Sequence, residues 1–405
     1  MGSVPDVNFN GWRVRDTQCL RGGPLRVQRG DLPVGCRLPY RRALGEVPTG
    51  PSELLDRVLA DGWRVEFLVR SEIPSGPPAE PIRLGDFLLS MVVVRALREA
   101  AEIAGVEVPP MSYTGTRGRL MRRCEIPVTV EEDAPGCMVT AKGRDPIRIE
   151  VRPVRPPRWV GFPRYADRMT VAMPIWHDPS GDLVDVHATL PLRLYLQMEQ
   201  DLGVRLPGSG DIVPRYRSDV VEPDAGHVVF VATTSSPTGK DYGVDGFAEV
   251  ARHLLMRTGL DLRFTLLTND PDLPPVPIAP GVRMRVVCGM DAADCVDLFG
   301  SAELVIGNDT GLTHLAALSV RPDGGGPHVV GLYNIFSPLK WNTGSPRHHS
   351  VSTPLAQMLA LADIDIYINQ SGFYIDPSLW AEGADLSTAP AHIVAEFAAN
   401  CVGWM

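Results

Sequence analysis

Along the second half of the chain, short apolar runs alternate with longer amphipathic ones. HVVFVATTSS, from His227, is an apolar run ending in small hydroxyl residues and predicts a strand that enters a loop. VDGFAEVARHLLMRTG places its apolar residues at helical spacing and stops at Gly259, which predicts a helix, and LRFTLLTND predicts the next strand. VRMRVVCGM, DAADCVDLFGSA, ELVIGND, TGLTHLAALSV and HVVGLYN continue the alternation. Strand and helix units of this length predict a parallel sheet covered on both faces, with ligands at the carboxyl ends of its strands.

The first half is less regular. WRVEFLVR, from Trp63, predicts a strand, and after a proline-rich insertion at 74–81 the run LGDFLLSMVVVRALREAAEIAG predicts one long helix. Residues 1–60 are rich in Gly, Pro and Arg without a sustained period, and predict an extended arm with no chemistry of its own. GSGDIVPRYRSDVVEPDAG, at 208–226, predicts an interdomain linker, and AHIVAEFAANC a C-terminal helix packing back across. The expected division is an extension at 1–60, a first α/β domain at 61–215, a second at 222–390 and the C-terminal helix at 391–405.

Composition narrows the function. With 44% hydrophobic and 21% charged residues the 405-residue chain is of ordinary globular type, long enough for two cores. A net charge of −9 argues against bulk nucleic acid as a partner but leaves room for a small anion at a local positive site. Lysine is scarce: only Lys142, Lys240 and Lys340 stand among 39 basic residues, so each draws attention. No apolar run approaches the roughly 20 residues of a membrane-spanning helix, and the start lacks a charged-then-apolar signal pattern, so a cytoplasmic protein without an integral membrane segment is expected. Seven scattered cysteines with no CxxC pair suggest neither a disulfide framework nor a zinc site. No GxGxxG follows a strand, and no GK[ST] phosphate loop occurs.

The sharpest local signal is ELVIGNDTGLTHLAAL, where an apolar strand ends at Asn308-Asp309, turns through Thr310 and Gly311, and enters a helix. Unpaired N–H groups and the positive end of the dipole at a helix start suit an anion, and Gly311 permits close approach. Asp309 or Thr310 acting as an ordinary helix cap fits the same spacing. Two DxD patterns do not read as metal sites: Asp270-Pro-Asp272, in a proline-rich loop, would bind ribose or nothing, and Asp363-Ile-Asp365 reads as a polar interruption near a strand.

D-T-G-L-T-H followed by an Ala-rich helix resembles the donor-binding signature of the ADP-heptose heptosyltransferases, glycosyltransferase family 9. The likeness continues through Arg321-Pro322, HVVGLYN and SPLKWNTGSPRH, and upstream through VVFVATTSSPTGKDYGVDGFAEVARHL and CGMDAADCVDLFGSAELVIGNDTG. It implies a GT-B fold, two doubly wound Rossmann-like α/β domains facing a cleft. It also implies an inverting, metal-independent transfer of a heptose or hexose from an ADP- or GDP-linked donor, with no cofactor beyond that donor. Thr233, Thr234, Lys240, Asp309, Thr310, Gly311, Leu312 and His314 would then hold the donor, with Met290 lining the base pocket. Lys240, the hydroxyls and the helix start would stabilise charge on the departing diphosphate. LGDFLLSMVVVRAL resembles the Gly-Asp that opens the family's first helix, which makes Asp86 the general base on the acceptor hydroxyl. The alternative for Asp86 is a plain N-cap. DVHATLPLRLYLQMEQDLGVRLP resembles the helix closing the first domain, where His187 is a weak candidate.

The expected partners are a nucleotide sugar and a small-molecule or glycolipid acceptor. The first 220 residues or so depart from the family pattern, and favour a secondary-metabolite (antibiotic) acceptor over a lipopolysaccharide or other cell-envelope one. A non-catalytic nucleotide-sugar-binding protein and a GT-B-fold sugar epimerase are the other readings.

Overall fold

The computed structural model describes residues 50–67, 82–131, 136–152 apart from 144, 189–207, 212–234, 240–334, 338, 341–353, 356 and 385–405, together with short strands at 7–9, 12–15, 26–28, 164–165, 168–172 and 183–185. The chain divides into two compact units, Arg37–Tyr216 and Arg217–Met405, with N-terminal segments shared between them. Each is an α/β unit built on its own sheet.

In the unit Arg217–Met405 the central strands run, across the sheet, His348–Ser352, His328–Tyr333, Leu304–Asn308, His227–Val231, Arg263–Thr268 and Val282–Cys288. All of these neighbours pair in parallel. Val276–Ala279 and Trp12–Arg15 add antiparallel strands at the two sides. Parallel strands sandwiched between helices are apolar on both faces, as His227–Val231 and Leu304–Asn308 are, every residue buried. Successive side chains point to opposite faces. Val228, Phe230, Leu304, Ile306, Val330 and Leu332 pack with Phe247, Leu254, Val394 and Ala398 of the helices Val244–Thr258 and Ala391–Val402. Phe230 lies 5.3 Å from the Phe247 ring and 6.0 Å from Phe264. The C-terminal helix therefore belongs to the core of its own unit. Val229, Val231, Val305 and Val329, equally buried, face the other side, the side of helices Ala292–Ser301 and Gly311–Leu318.

The order matters for function. The chain lays down His227–Val231, Arg263–Thr268 and Val282–Cys288 outward in one direction, then returns to place Leu304–Asn308 on the opposite side of the first strand. The order reverses between His227–Val231 and Leu304–Asn308, and a doubly wound sheet binds ligands at the carboxyl ends of strands flanking such a switch.

The other unit is also an α/β unit, built on a mixed sheet. Its order is Thr129–Glu131, Met111–Gly115, Cys137–Ala141, Trp63–Phe67, Ile147–Arg152, Arg168–Ala172 and Arg164–Tyr165. Trp63–Phe67, Ile147–Arg152 and Arg168–Ala172 are parallel, but Cys137–Ala141 runs antiparallel to both its neighbours. The cause is covalent: residues 142–146 alone separate Cys137–Ala141 from Ile147–Arg152, and a parallel connection needs about a dozen residues or more.

Two local expectations change. The predicted long helix is a pair, Leu84–Ser90 and Val92–Ile103, meeting at Met91, whose backbone stays in the right-handed region at φ −60° and ψ −16°. Inside the supposed extension lies the helix Glu53–Asp61, with the Ser52 hydroxyl accepting the Leu55 N–H and Leu55 and Val58 buried.

Candidate donor site

At the end of Leu304–Asn308 strand and helix come very close. A Cβ on Gly307 would lie 2.4 Å from Thr313 Oγ1 and 2.7 Å from Val231 Cβ, so only glycine fits. Thr313 donates its hydroxyl to the Asn308 carbonyl at 2.6 Å, and the Asp309 N–H donates to the Leu332 carbonyl at 3.0 Å. Thr310 is extended, at φ −140° and ψ 165°, and its carbonyl accepts from the His314 N–H.

The capping alternative for Thr310 and Asp309 is set aside by this geometry. Neither side chain caps the helix Gly311–Leu318, and Thr310 Oγ1 is buried with no hydrogen-bond partner. Asp309 turns instead to Lys240, whose Nζ lies 2.9 Å from Oδ2, while His314 Nε2 stands 3.7 Å from Oδ1. The helix start thus keeps its unpaired N–H groups and its dipole beside a lysine ammonium, and both favour an anion.

Lys240 reaches this place because its loop is tied to the strand end. Asn308, fully buried, accepts the Tyr242 N–H on Oδ1 at 3.0 Å and donates through Nδ2 to Asp241 Oδ1 at 3.0 Å. Asp241 Oδ1 also accepts the Gly243 N–H, and the Tyr242 hydroxyl donates to the Ala389 carbonyl at 2.8 Å. Sequence reading left Asn308 and Asp241 without a role. The polar run D-Y-G directly after the scarce lysine was the available signal.

Beneath Asp309 lies a buried polar layer. Burial, with a smaller contribution from Lys240, pushes the His314 imidazole below its usual pKa against the opposing pull of Asp309. His348, whose ring centroid is 5.7 Å from that of His314, is pushed well down by burial and then by His314 and His349. The Thr343 N–H donates to His348 Nδ1 at 3.3 Å, so the neutral ring carries its proton on Nε2, which lies 3.3 Å from the Tyr333 hydroxyl. Burial, then Asp309, raises the Tyr333 phenol well above its usual value. Neutral imidazoles under the site leave the lysine ammonium and the helix start as its positive elements.

The other predicted residues distribute unevenly. Thr233 and Thr234, half-buried, follow His227–Val231 on the other side of the switch point, and Gly311 and Leu312 form the first turn of the helix. Met290, half-buried, follows Val282–Cys288, the outermost of the parallel strands on that side. Asp86 belongs to the other unit. It is the third residue of Leu84–Ser90, whose N-cap position is Arg83, so Asp86 is not the cap; it is half-buried above Phe87, Leu88 and Leu89. Asp270 accepts the Asp272 N–H at 3.0 Å, which closes the first DxD into a turn. Asp363, Asp365 and His187 lie outside the described residues. Among the described residues no group of three or more His, Cys, Asp and Glu is placed to hold a metal ion.

Comparison with known proteins bears on this region. Residues 214–363 match the model of glycosyltransferase family 9 (heptosyltransferase). Among solved structures, the E. coli heptosyltransferase WaaC with ADP is 14% identical with a TM-score of 0.43, over 83% of this chain and 99% of that one. A family 9 glycosyl transferase from Veillonella parvula is 14% identical with a TM-score of 0.49, over 85% and 98%. The E. coli ADP-heptose lps heptosyltransferase II is 16% identical with a TM-score of 0.42, over 76% and 100%. Comparison with curated proteins gives no match.

Proposed function

We propose, from the match of residues 214–363 to the model of glycosyltransferase family 9 (heptosyltransferase), that the chain transfers a heptose or hexose, with inversion, from a nucleotide-diphosphate donor to an acceptor hydroxyl. The observation that carries the proposal is the meeting of Lys240, Asp309, Thr310 and the start of Gly311–Leu318 at the switch point of a doubly wound sheet. Breaking the bond to the anomeric carbon leaves negative charge on the departing diphosphate. An ammonium, a buried hydroxyl and helix N–H groups already fixed in place stabilise that charge as it develops. An ammonium has three N–H donors, so the bond to Asp309 does not by itself keep this lysine from phosphate. These donors meet the charge without a divalent cation, so transfer is expected to survive chelation by EDTA.

Asp86 is assigned as the general base. A carboxylate takes the proton of the attacking hydroxyl as the new bond forms, and a single displacement inverts the anomeric centre. The family match begins at residue 214 and leaves all but the last three residues of the unit Arg37–Tyr216 outside it, which favours an acceptor other than lipopolysaccharide, such as a hydroxyl of an antibiotic.

The first test is thermal shift with ADP, GDP, UDP and their sugars on wild type and Lys240→Ala, since a ligand that binds the folded state raises its melting temperature. One preferred diphosphate, weakened in the variant, supports the site; no shift with any of them sinks the proposal.

A further inference from the structure

We infer that Asn308 is a positioning residue that locks the lysine loop and the phosphate-facing turn into one register, so that diphosphate affinity depends on a buried side chain beside the site. The inference rests on the donor-site reading above and deepens it.

Lys240 is held at two points. Its ammonium is paired with Asp309, and its loop is fastened one and two residues further on, where Asn308 engages Asp241 and Tyr242. Asn308 and Asp309 are consecutive, so both fixings belong to the same strand end. The helix is fastened there as well, through the hydroxyl of Thr313 on the Asn308 carbonyl. One residue therefore ties together the loop with the cation, the turn with the hydroxyl and the first turn of the helix. Full burial keeps water from competing for these bonds.

The chemistry of position 308 is restrictive. A carboxamide supplies the acceptor that the Tyr242 N–H needs and the donor that Asp241 needs. A carboxylate would supply acceptors only and would face Asp241 with like charge; an aliphatic side chain would supply neither. The Gly243 N–H shares Asp241 Oδ1, so the carboxylate that Asn308 engages also holds the residue before Val244–Thr258.

The experiment is a double-mutant cycle read by calorimetric titration of ADP, GDP and UDP onto wild type, Asn308→Ala, Lys240→Ala and the double variant, with a melting curve of each. Asn308→Ala is expected to weaken the preferred diphosphate about tenfold, the size of one lost hydrogen bond to a well-placed group. Added to Lys240→Ala it is expected to cost little more, because residues acting through one another are not additive. A loss that repeats in full in the Lys240→Ala background, or no loss at all, overturns the positioning role. Should Asn308→Ala fail to fold, Asp241→Ala removes one of its two ties, from the half-buried loop side, and is held to the same non-additivity. Normal Lys240 dependence with an unaffected Asn308→Ala sinks this inference alone. Wild type that binds no diphosphate, or Lys240→Ala that binds as well as wild type, sinks the donor-site reading and this inference with it.

Discussion

The two units organise their strands differently, and only one of the arrangements gathers a site. In Arg217–Met405 the inner strands run parallel, so their carboxyl ends lie on one side and the loops that follow them crowd together. In Arg37–Tyr216 the reversal at Cys137–Ala141 spreads strand ends over both sides of the sheet. A candidate site where two such loops meet, at Lys240 and Asp309, is natural in the first. The second offers Asp86 on the first turn of a helix, a single group on a firm base. Binding is therefore expected to reside in one unit and proton transfer in the other.

Several variants would break or sharpen that contrast. The largest effect is expected from Asp86→Asn, which should slow transfer by about 10²–10⁴-fold, the usual contribution of a general base, while nucleotide titration remains as in wild type. If turnover survives, the base lies elsewhere; if nucleotide binding falls too, the division of labour is wrong. Next, Phe230→Ala should cost about 3–5 kcal/mol in urea unfolding, because a fully buried ring is removed from a packed aromatic group.

A smaller effect concerns acid. His227, His314 and His348, all in Arg217–Met405, have pKa values lowered chiefly by burial. The folded state then binds fewer protons than the unfolded one, so the stabilisation is complete above about 6.5, the ordinary value, and is lost as pH falls below it. Melting temperature should decline from pH 7 to pH 5, and less steeply in His348→Gln; a parallel decline would remove these imidazoles from the account. The smallest effect is expected at Asp270→Asn, which retains the turn acceptor and should change neither binding nor stability measurably.

Legibility followed the same divide. Between His227 and Tyr333 apolar periodicity and glycine stops located strands and helices, because parallel strands buried on both faces leave uninterrupted apolar runs. Lys240, Asp309, Thr310 and His314 were named from motif resemblance, and the structure places the four together. Asn308 was passed over because its function is a pair of bonds to residues 66 and 67 positions away, which no local pattern encodes. In the other unit the Ser52 cap and the Leu55 and Val58 spacing of Glu53–Asp61 were readable, but the surrounding glycines and prolines hid them. The reversal at Cys137–Ala141 was hidden differently: two short strands and a short link fit a hairpin, yet Trp63–Phe67 lies between them.

The switch point also dictates an order of birth. His227–Val231 acquires its neighbour Arg263–Thr268 early in synthesis, but its other side stays open until Leu304–Asn308 has been made. For that interval the ribosome presents a naked apolar strand edge, HVVFV, the kind of edge that recruits other chains. The residues that complete the candidate donor site are thus the same ones that close this edge.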